Sequence, residues 1–426
     1  VGGASFLLIA LVEKKTPLYS QGVIMIVTVT VNPCIDVEKE FDKNLAMDGT
    51  NRPLLSNENP GGKGIDVSRA IRACGETSLA LGFVGGHTGK RVQGLLAIED
   101  IDTDFIETGS ETRTNIILRV QTKEKEGPKH EECRVNSAGP KITEIQYNEL
   151  RKAITEKKDV KAAAICGSVP PGMENPASYN ALLKAFKDAN EHCLTYLDTG
   201  QKHTLAALTA THPPDFIKPN IEEFNQLLVH SMDVDLLDDD DRKQPDNNKP
   251  SPGDETLLKN KYCLFNAKIG TTWLVLLEYL ERFSKKYNKT TILLSMSELG
   301  AITYSKKEFI HCYYVGSTEP STFVGAGDSF LGGFIVAQAK EKQIEKAIKA
   351  GVATSIARLT GGGGSDKAYI DGGSIIKFLK DDLLCVSKFK KVEECTKHLE
   401  NVIEKYNKAE EGIKKKRTKE ERNKTK

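Results

Sequence analysis

The sequence predicts an α/β protein: a doubly wound, mainly parallel sheet flanked by helices, with a small antiparallel β lid. Three observations predict it. From about residue 141 onward, strands and helices alternate in short regular units, the rhythm of a parallel sheet. The first strand is β-branched and apolar on both faces, as a fully buried parallel strand must be. The strands after it alternate polar and apolar residues, which suits an exposed flap rather than a core.

In order, Met25–Val31 (MIVTVTV) reads as the buried first strand, stopped by Asn32-Pro33. Val37–Phe41 and Pro53–Leu55 read as lid strands. Gly61-Gly62-Lys63-Gly64 opens a helix over 65–74 with apolar residues at 67, 70, 71 and 74. A strand over 78–84, the pair Gly85-Gly86 and a helix near 90–98 follow. Segments 115–120 and 133–135 read as a second pair of lid strands, so the lid is expected at about 37–56 and 113–136. The regular part then runs helix 143–157, strand 162–166, helix 175–190, strand 193–197, strand 216–218 and helix 221–229. It resumes with strand 291–295, a hairpin over 301–314, and helices over 326–340 and 343–358.

The folded domain is expected over 25–375. Residues 1–24 read as a non-native or disordered leader: no Lys or Arg precedes the apolar run Ala4–Val12, Lys14 and Lys15 follow it, and Met25 opens directly on a strand. Residues 231–268, with Asp238–Asp241, are polar and aperiodic and read as an acidic disordered insertion. Residues 376–426 read as a tail, helical and then basic.

Composition excludes several classes. A net charge of +1 over 426 residues gives no global reason to bind nucleic acid or membrane, and neither partner is expected. No apolar run approaches the ~20 residues of a membrane helix. The nine cysteines contain no C-x-x-C pair, which argues against a zinc site or disulfide framework and for reduced thiols in a cytoplasmic protein.

Two phosphate motifs fail. Gly85-Gly86-His87-Thr88-Gly89-Lys90-Arg91 is one residue short of a P-loop and lacks its Ser or Thr. Gly325-Ala326-Gly327-Asp328 lacks the third glycine of a dinucleotide fingerprint. The segment from Thr322 to Phe334 is more informative. Its small residues admit a ligand, and a helix begins at once, so its end N–H groups form an anion site. Asp328 in that first turn would repel an anion unless it had work there. It reads either as a base for an attacking hydroxyl or as a carboxylate favoured by the helix dipole.

This segment resembles the C-terminal signature of the ribokinase-like, or PfkB, carbohydrate kinases. Gly61-Gly62-Lys63-Gly64-Ile65-Asp66 and Lys218-Pro219-Asn220-Ile221-Glu222-Glu223 resemble two more blocks of that family in the same order. The start at 27–36, Gly85-Gly86, Thr112-Arg113-Thr114-Asn115 and Gly167-Ser168-Val169-Pro170-Pro171-Gly172 resemble the subfamily of 1-phosphofructokinase and tagatose-6-phosphate kinase. The resemblance covers about 25–370 and implies a ribokinase-like fold and a kinase using ATP and Mg²⁺. It implies Asp328 as base with Gly325, Ala326 and Gly327 as anion hole. It places Asp36, Gly61, Gly62, Lys63, Asp66, Arg113 and Asn115 on the sugar phosphate. It places Lys218, Asn220, Ser295, Gly300, Gly325 and Gly327 on the nucleotide, Glu223 indirectly on Mg²⁺, and adenine near 351–364. A homodimer through the β lid also fits.

Asp66 stands where the family has Asn, Ser297 where it has Gly, and the run Gly361–Gly364 is longer than usual. Asp66 reads either as drift or as altered substrate preference. The expected reaction is fructose 1-phosphate to fructose 1,6-bisphosphate, with tagatose-6-phosphate or fructose-6-phosphate as alternative acceptors. A non-catalytic sugar-phosphate-binding regulator is the more distant alternative.

Overall fold

The computed structural model describes residues 24–124, 127–231, 272–316, 325–360, 370 and 372–406. The expected leader up to 23, the acidic insertion beyond Ser231, the Gly361–Gly364 run and the basic end beyond 406 lie outside the described residues.

The first half of the chain runs β1 (Met25–Thr30), β2 (Cys34–Phe41), β3 (Leu55–Gly61), α1 (Lys63–Ala73), β4 (Ser78–Val84), α2 (Gly86–Ile98) and β5 (Asp102–Glu107). Then come β6 (Arg113–Glu124), β7 (Gly127–Val135), α3 (Glu144–Thr155), β8 (Val160–Cys166), α4 (Ser178–Ala189), β9 (Leu194–Asp198), α5 (Gln201–Leu208), β10 (Phe216–Ile217) and α6 (Ile221–Ser231). The second half holds α7 (Thr272–Lys286), β11 (Thr291–Ile292), β12 (Leu294–Ser295), β13 (Ala301–Ser305), β14 (Glu308–Tyr314), α8 (Ala326–Glu341), α9 (Ile344–Thr360), α10 (Gly372–Lys380) and β15 (Leu384–Phe389). A last helix, α11, covers 392–406.

The main sheet has seven parallel strands in the order β11-β10-β9-β8-β1-β4-β5. β1 is central, and its alternate residues face opposite layers. Val27 and Val29 join one core with Leu150, Leu182 and Phe224, beneath α3 to α7. Ile26 joins the other with Ile71, Phe334 and Ile348, beneath α1, α8, α9 and α10. α8 is apolar all round and buried from Ser329 to Gln338, because it lies between neighbouring helices. It crosses α1 closely, with Gly332 against the Ala70 side chain.

The lid is a four-stranded sheet, β3-β2-β6-β7, longer than expected and mixed rather than purely antiparallel: β2 pairs with β6 in parallel. The apolar run at 291–295 is split between two sheets. β11 extends the main sheet, whereas β12 starts an antiparallel sheet β12-β13-β14-β15. Residues 384–406, expected to be part of a tail, belong to the fold. β15 pairs with β14 along its length, and Cys395, Leu399 and Val402 of α11 are buried in the first core. Among the described residues no helix is long and apolar enough to cross a membrane, and the eight cysteines are free thiols.

Candidate active site

The main sheet reverses its winding at β1, with β4 and β5 on one side and β8 to β11 on the other. The crevice at the carboxyl ends of these strands is where such sheets bind ligands. Three elements place charge there: α1 starts on Lys63, β9 ends on Asp198, and Lys218 follows β10. Lys63 Nζ lies 3.0 Å from Asp198 Oδ1, and Lys218 Nζ lies 3.1 Å from Oδ2. The Asp198 side chain is 1% exposed and that of Lys218 6%, so this pair is dry, while Lys63 at 39% faces the crevice. Burial pushes the Asp198 carboxyl up, but Lys218 and then Lys63 outweigh it and hold it below the usual carboxylate range. Two ammonium groups share one buried carboxylate, and the outer of them, Lys63, also lies 3.8 Å from Glu223 Oε1. Asp198 was not among the residues expected from the sequence. Its signal is an Asp-Thr-Gly directly after an apolar strand.

Opposite stands the N-terminus of α8. Gly325, its N-cap, has φ +78°, a left-handed conformation that glycine adopts at little cost. Ser329 N–H donates to Gly325 O at 2.9 Å, so the N–H groups of Ala326, Gly327 and Asp328 are end groups of the helix, with the positive pole of its dipole. Gly327 faces the Lys218 ammonium. The Asp328 carboxyl is pushed up to about 7, first by burial, then by the negative charges of Asp66 and Asp198; Lys218 and Lys63 pull it back.

Asp66 lies in the first turn of α1. Arg69 Nη1 donates to its Oδ1 at 2.7 Å. Arg69 is itself fixed by Glu99, at 2.6 and 2.8 Å, and by the Pro60 carbonyl at 2.7 Å. Burial still pushes the Asp66 carboxyl up. One Asp66 oxygen is thus engaged by the protein itself.

The lid register sets Asp36 opposite Asn115 and Asn59. Asn115 Nδ2 donates to Asp36 Oδ1 at 2.9 Å, and the Cys34 thiol lies 3.2 Å from the same oxygen. A side chain on Gly61 would collide with Asp36 Oδ2 and Cys34 Sγ, so this glycine is demanded by the packing of Asp36. Gly62 caps α1. Arg113 Nε and Nη2 donate to the Asn32 carbonyl at 3.3 and 3.0 Å, and Nη1 to the Ser137 carbonyl at 3.2 Å. It ties the end of β1 to the end of the lid, with N–H groups to spare.

Asn220 and Glu223 form a reciprocal cap at the start of α6, and Glu223 Oε1 is 3.8 Å from Lys63 Nζ. Ser295 bridges to Asn220 in parallel, and its N–H donates to Pro219 O at 3.0 Å. Asp198, Thr199, Lys218, Pro219 and Glu223 line part of a small open cleft. Gly300 shapes a turn. Its φ is +80°, its carbonyl accepts from Met296 N–H at 2.8 Å, and it packs on the Cys312 carbonyl. Ser297 in the same turn has φ +51°, a left-handed conformation that gives the serine some backbone strain.

Among the described residues no three acidic, His or Cys side chains gather into a metal cage. Mg²⁺ bound with a nucleotide needs none, since it takes one or two carboxylates, waters and phosphate oxygens. Glu223 beside Lys63 fits that pattern, and three helix-end N–H groups facing Lys218 fit a phosphate.

The profile described as pfkB family carbohydrate kinase matches residues 24–243 and 263–369. The chain belongs to that family. The break in the match falls inside the segment 231–268 expected to be an insertion. Similar proteins include the 1-phosphofructokinase of Borreliella burgdorferi, 29% identical over 339 residues, covering 78% of this chain and 91% of the relative. The 1-phosphofructokinase of Bacillus subtilis is 26% identical over 337 residues, covering 78% and 92%. Phosphofructokinase-2 from Escherichia coli in complex with potassium shares the fold, with a TM-score of 0.65 at 22% identity over 84% of this chain and 98% of that one. As a pfkB-family carbohydrate kinase, the protein is an enzyme that transfers a phosphoryl group to a sugar hydroxyl.

Proposed function

We propose that this pfkB-family kinase uses ATP to phosphorylate a sugar phosphate, converting fructose 1-phosphate to fructose 1,6-bisphosphate. The observation that carries the reading is Asp328. It is a carboxyl with affinity for a proton near neutrality, set among the end N–H groups of α8 and opposite the Lys63–Asp198–Lys218 cluster. The names of the relatives support fructose 1-phosphate as acceptor. A tagatose-6-phosphate kinase of Staphylococcus epidermidis, 29% identical over 50% of this chain, supports tagatose-6-phosphate as second choice. Retention of both Asp328 and Glu223 speaks against a non-catalytic regulator.

In this reading Asp36 and Asn115 bind sugar hydroxyls, and Arg113 and Lys63 meet the phosphate already on the sugar. The free hydroxyl attacks the γ-phosphorus of ATP while its proton passes to Asp328. The bond to the β-phosphate oxygen breaks, and ADP leaves. The N–H groups at 326–328 and Lys218 hold charge on the moving phosphoryl group, and positioning and electrostatics do most of the work. Glu223 would help to hold Mg²⁺ with the nucleotide, and the ion would supply charge neutralisation there. Ile116 and Val135, cross-strand neighbours on the lid and 39% and 51% exposed, support pairing of two copies there. An ADP-release assay over a panel of sugar phosphates tests the function. Turnover without any sugar phosphate among the accepted substrates would overturn it.

A further inference from the structure

Asp36 brings two oxygens to the crevice, and the lid itself has taken one of them. Cys34 and Asp36 are two residues apart on β2, and Arg113 and Asn115 pair with them on β6, so the four side chains share one face of the lid. On the other side of β2, Gly61 of β3 lies opposite Cys34. These neighbours wall in the carboxylate. Asn115 Nδ2 donates to Asp36 Oδ1 at 2.9 Å, and the Cys34 thiol donates to the same oxygen at 3.2 Å. The second amide proton of Asn115 is directed at Cys34 Sγ, 3.1 Å away, so the three side chains close a ring. Cys34 is 2% exposed and Asn115 7%, whereas Asp36 is half-buried. Oδ2 lies over Gly61, where only a glycine leaves it room, and among the described residues nothing donates to it. Burial and then the charge of Asp36 push the pKa of the Cys34 thiol well up, so the sulfur keeps its proton and remains a donor to the carboxylate.

We propose that Cys34 is a positioning residue for the acceptor sugar: with Asn115 it fixes Asp36 through Oδ1, so that Oδ2 alone receives a sugar hydroxyl. The proposal rests on the kinase reading above. A carboxylate oxygen has two acceptor positions, and on Oδ1 both are filled. A buried cysteine ordinarily serves as a small apolar filler. Here the sulfur sits instead between a carboxylate and an amide, within hydrogen-bond reach of both. Holding the carboxylate in place before the sugar arrives spares the cost of ordering it on binding.

The decisive experiment compares full-length Cys34→Val, Cys34→Ala and Cys34→Ser with wild type, by steady-state kinetics on an accepted sugar phosphate and by infrared spectroscopy of the S–H stretch. Valine keeps most of the volume and loses the donor; serine keeps a donor. Cys34→Val and Cys34→Ala should each raise the sugar-phosphate KM about tenfold, with the KM for ATP within about threefold of wild type. A misfolded variant would not confine its defect to one substrate. Cys34→Ser should recover part of the loss. The Cys34 band, taken as the difference between wild type and Cys34→Val, should move to higher wavenumber in Asp36→Asn, where a neutral acceptor replaces the carboxylate. A sugar-phosphate KM within threefold of wild type in Cys34→Val would overturn the proposal, because packing alone would then account for the cysteine. So would a Cys34→Ser no better than Cys34→Ala, or a band that stays in place in Asp36→Asn. If wild type phosphorylated no sugar phosphate, the kinase reading would fail, while the band would still decide for or against the bond from Cys34 to Asp36.

Discussion

Asn220 and Glu223 cap each other across the first turn of α6: Asn220 Oδ1 accepts from Glu223 N–H at 2.8 Å, and Glu223 Oε2 accepts from Asn220 N–H at 2.9 Å. One Glu223 oxygen is therefore structural, and the other, 3.8 Å from Lys63, is left to face the crevice.

Substitution separates the two roles. Glu223→Gln keeps an acceptor for the capping box, so its melting temperature should stay near wild type. Loss of the charge should raise the Mg²⁺ concentration needed for half-maximal rate. Glu223→Ala should show the same kinetic defect and a further loss of about 1 kcal/mol in stability. An unchanged Mg²⁺ requirement in Glu223→Gln would leave the residue with capping alone.

Asp328 predicts a pH profile. In the proposed role Asp328 must be ionised to take up the proton, and burial with Asp66 and Asp198 nearby raises this carboxyl to about 7, so kcat/KM should fall as pH drops below about 7. Asp328→Asn should cost about 10²–10⁴ in kcat. Asp66→Asn removes the largest of the neighbouring negative charges, so the acid limb should move to lower pH. A limb that stays put in Asp66→Asn would mean that Asp66 does not act on the base.

Asp198 and Lys218 are buried together, so removing one strands the other. Asp198→Asn should lower stability by about 3–5 kcal/mol, seen as a reduced urea midpoint, because Lys218 is left dry and unpaired. Lys63→Ala, at the half-exposed edge of the cluster, should move that midpoint far less while still impairing turnover. Equal midpoints for the two variants would contradict the assignment of the dry pair.

How much of this was legible in the sequence depends on what each residue answers to. β1 was readable because both its faces are buried, and α8 because small residues at fixed spacing permit close helix crossings. β5 was not, since an edge strand with half-exposed residues (DTDFIE) has no apolar signature. β15 was hidden because its apolar residues sit in a lysine-rich stretch and gain meaning only when β14 pairs with them. α7 has a clear helical period through Trp273, Leu276, Leu277, Leu280 and Phe283, all buried, but the polar acidic run before it obscures where it starts. In the site, the glycine and KPN blocks marked positions, yet pairing across the chain was invisible. Nothing local links Lys63 to Asp198, 135 residues away.

Arg113 lies between lid and sheet, so its loss should be read in substrate-specific terms. With N–H groups left over after binding the Asn32 and Ser137 carbonyls, it can still meet an anion. Arg113→Ala should raise KM for the sugar phosphate about 10–150-fold, equivalent to a charge-assisted hydrogen bond of roughly 1.5–3 kcal/mol, with KM for ATP little changed. Equal effects on both substrates would reduce Arg113 to a tie between β1 and the lid.

The last prediction concerns stability against acid. His311 on β14 is fully buried, its Nε2 lies 2.7 Å from the Leu299 carbonyl, and its Nδ1 is 3.2 Å from His398 Nε2 on α11. A neutral imidazole carries one proton. The carbonyl can only accept, so that proton sits on Nε2, and Nδ1 accepts from His398. Burial pushes the His311 pKa down to about 3; the Leu299 carbonyl opposes this, and His398 adds to it. The unfolded chain takes up the proton at about 6.5, and the folded chain does not until about 3. Between those values the unfolded state binds more protons, so stability falls as pH falls, by up to about 1.4 kcal/mol per pH unit, and is complete above about 6.5. His398, also held below its ordinary value by burial, pulls in the same direction. His311→Gln, whose amide can still donate toward Leu299, should start less stable at pH 7.5 but lose less on going to pH 5.5. Melting curves of wild type and variant that fall in parallel across that range would show that His311 is not the group protonated on unfolding.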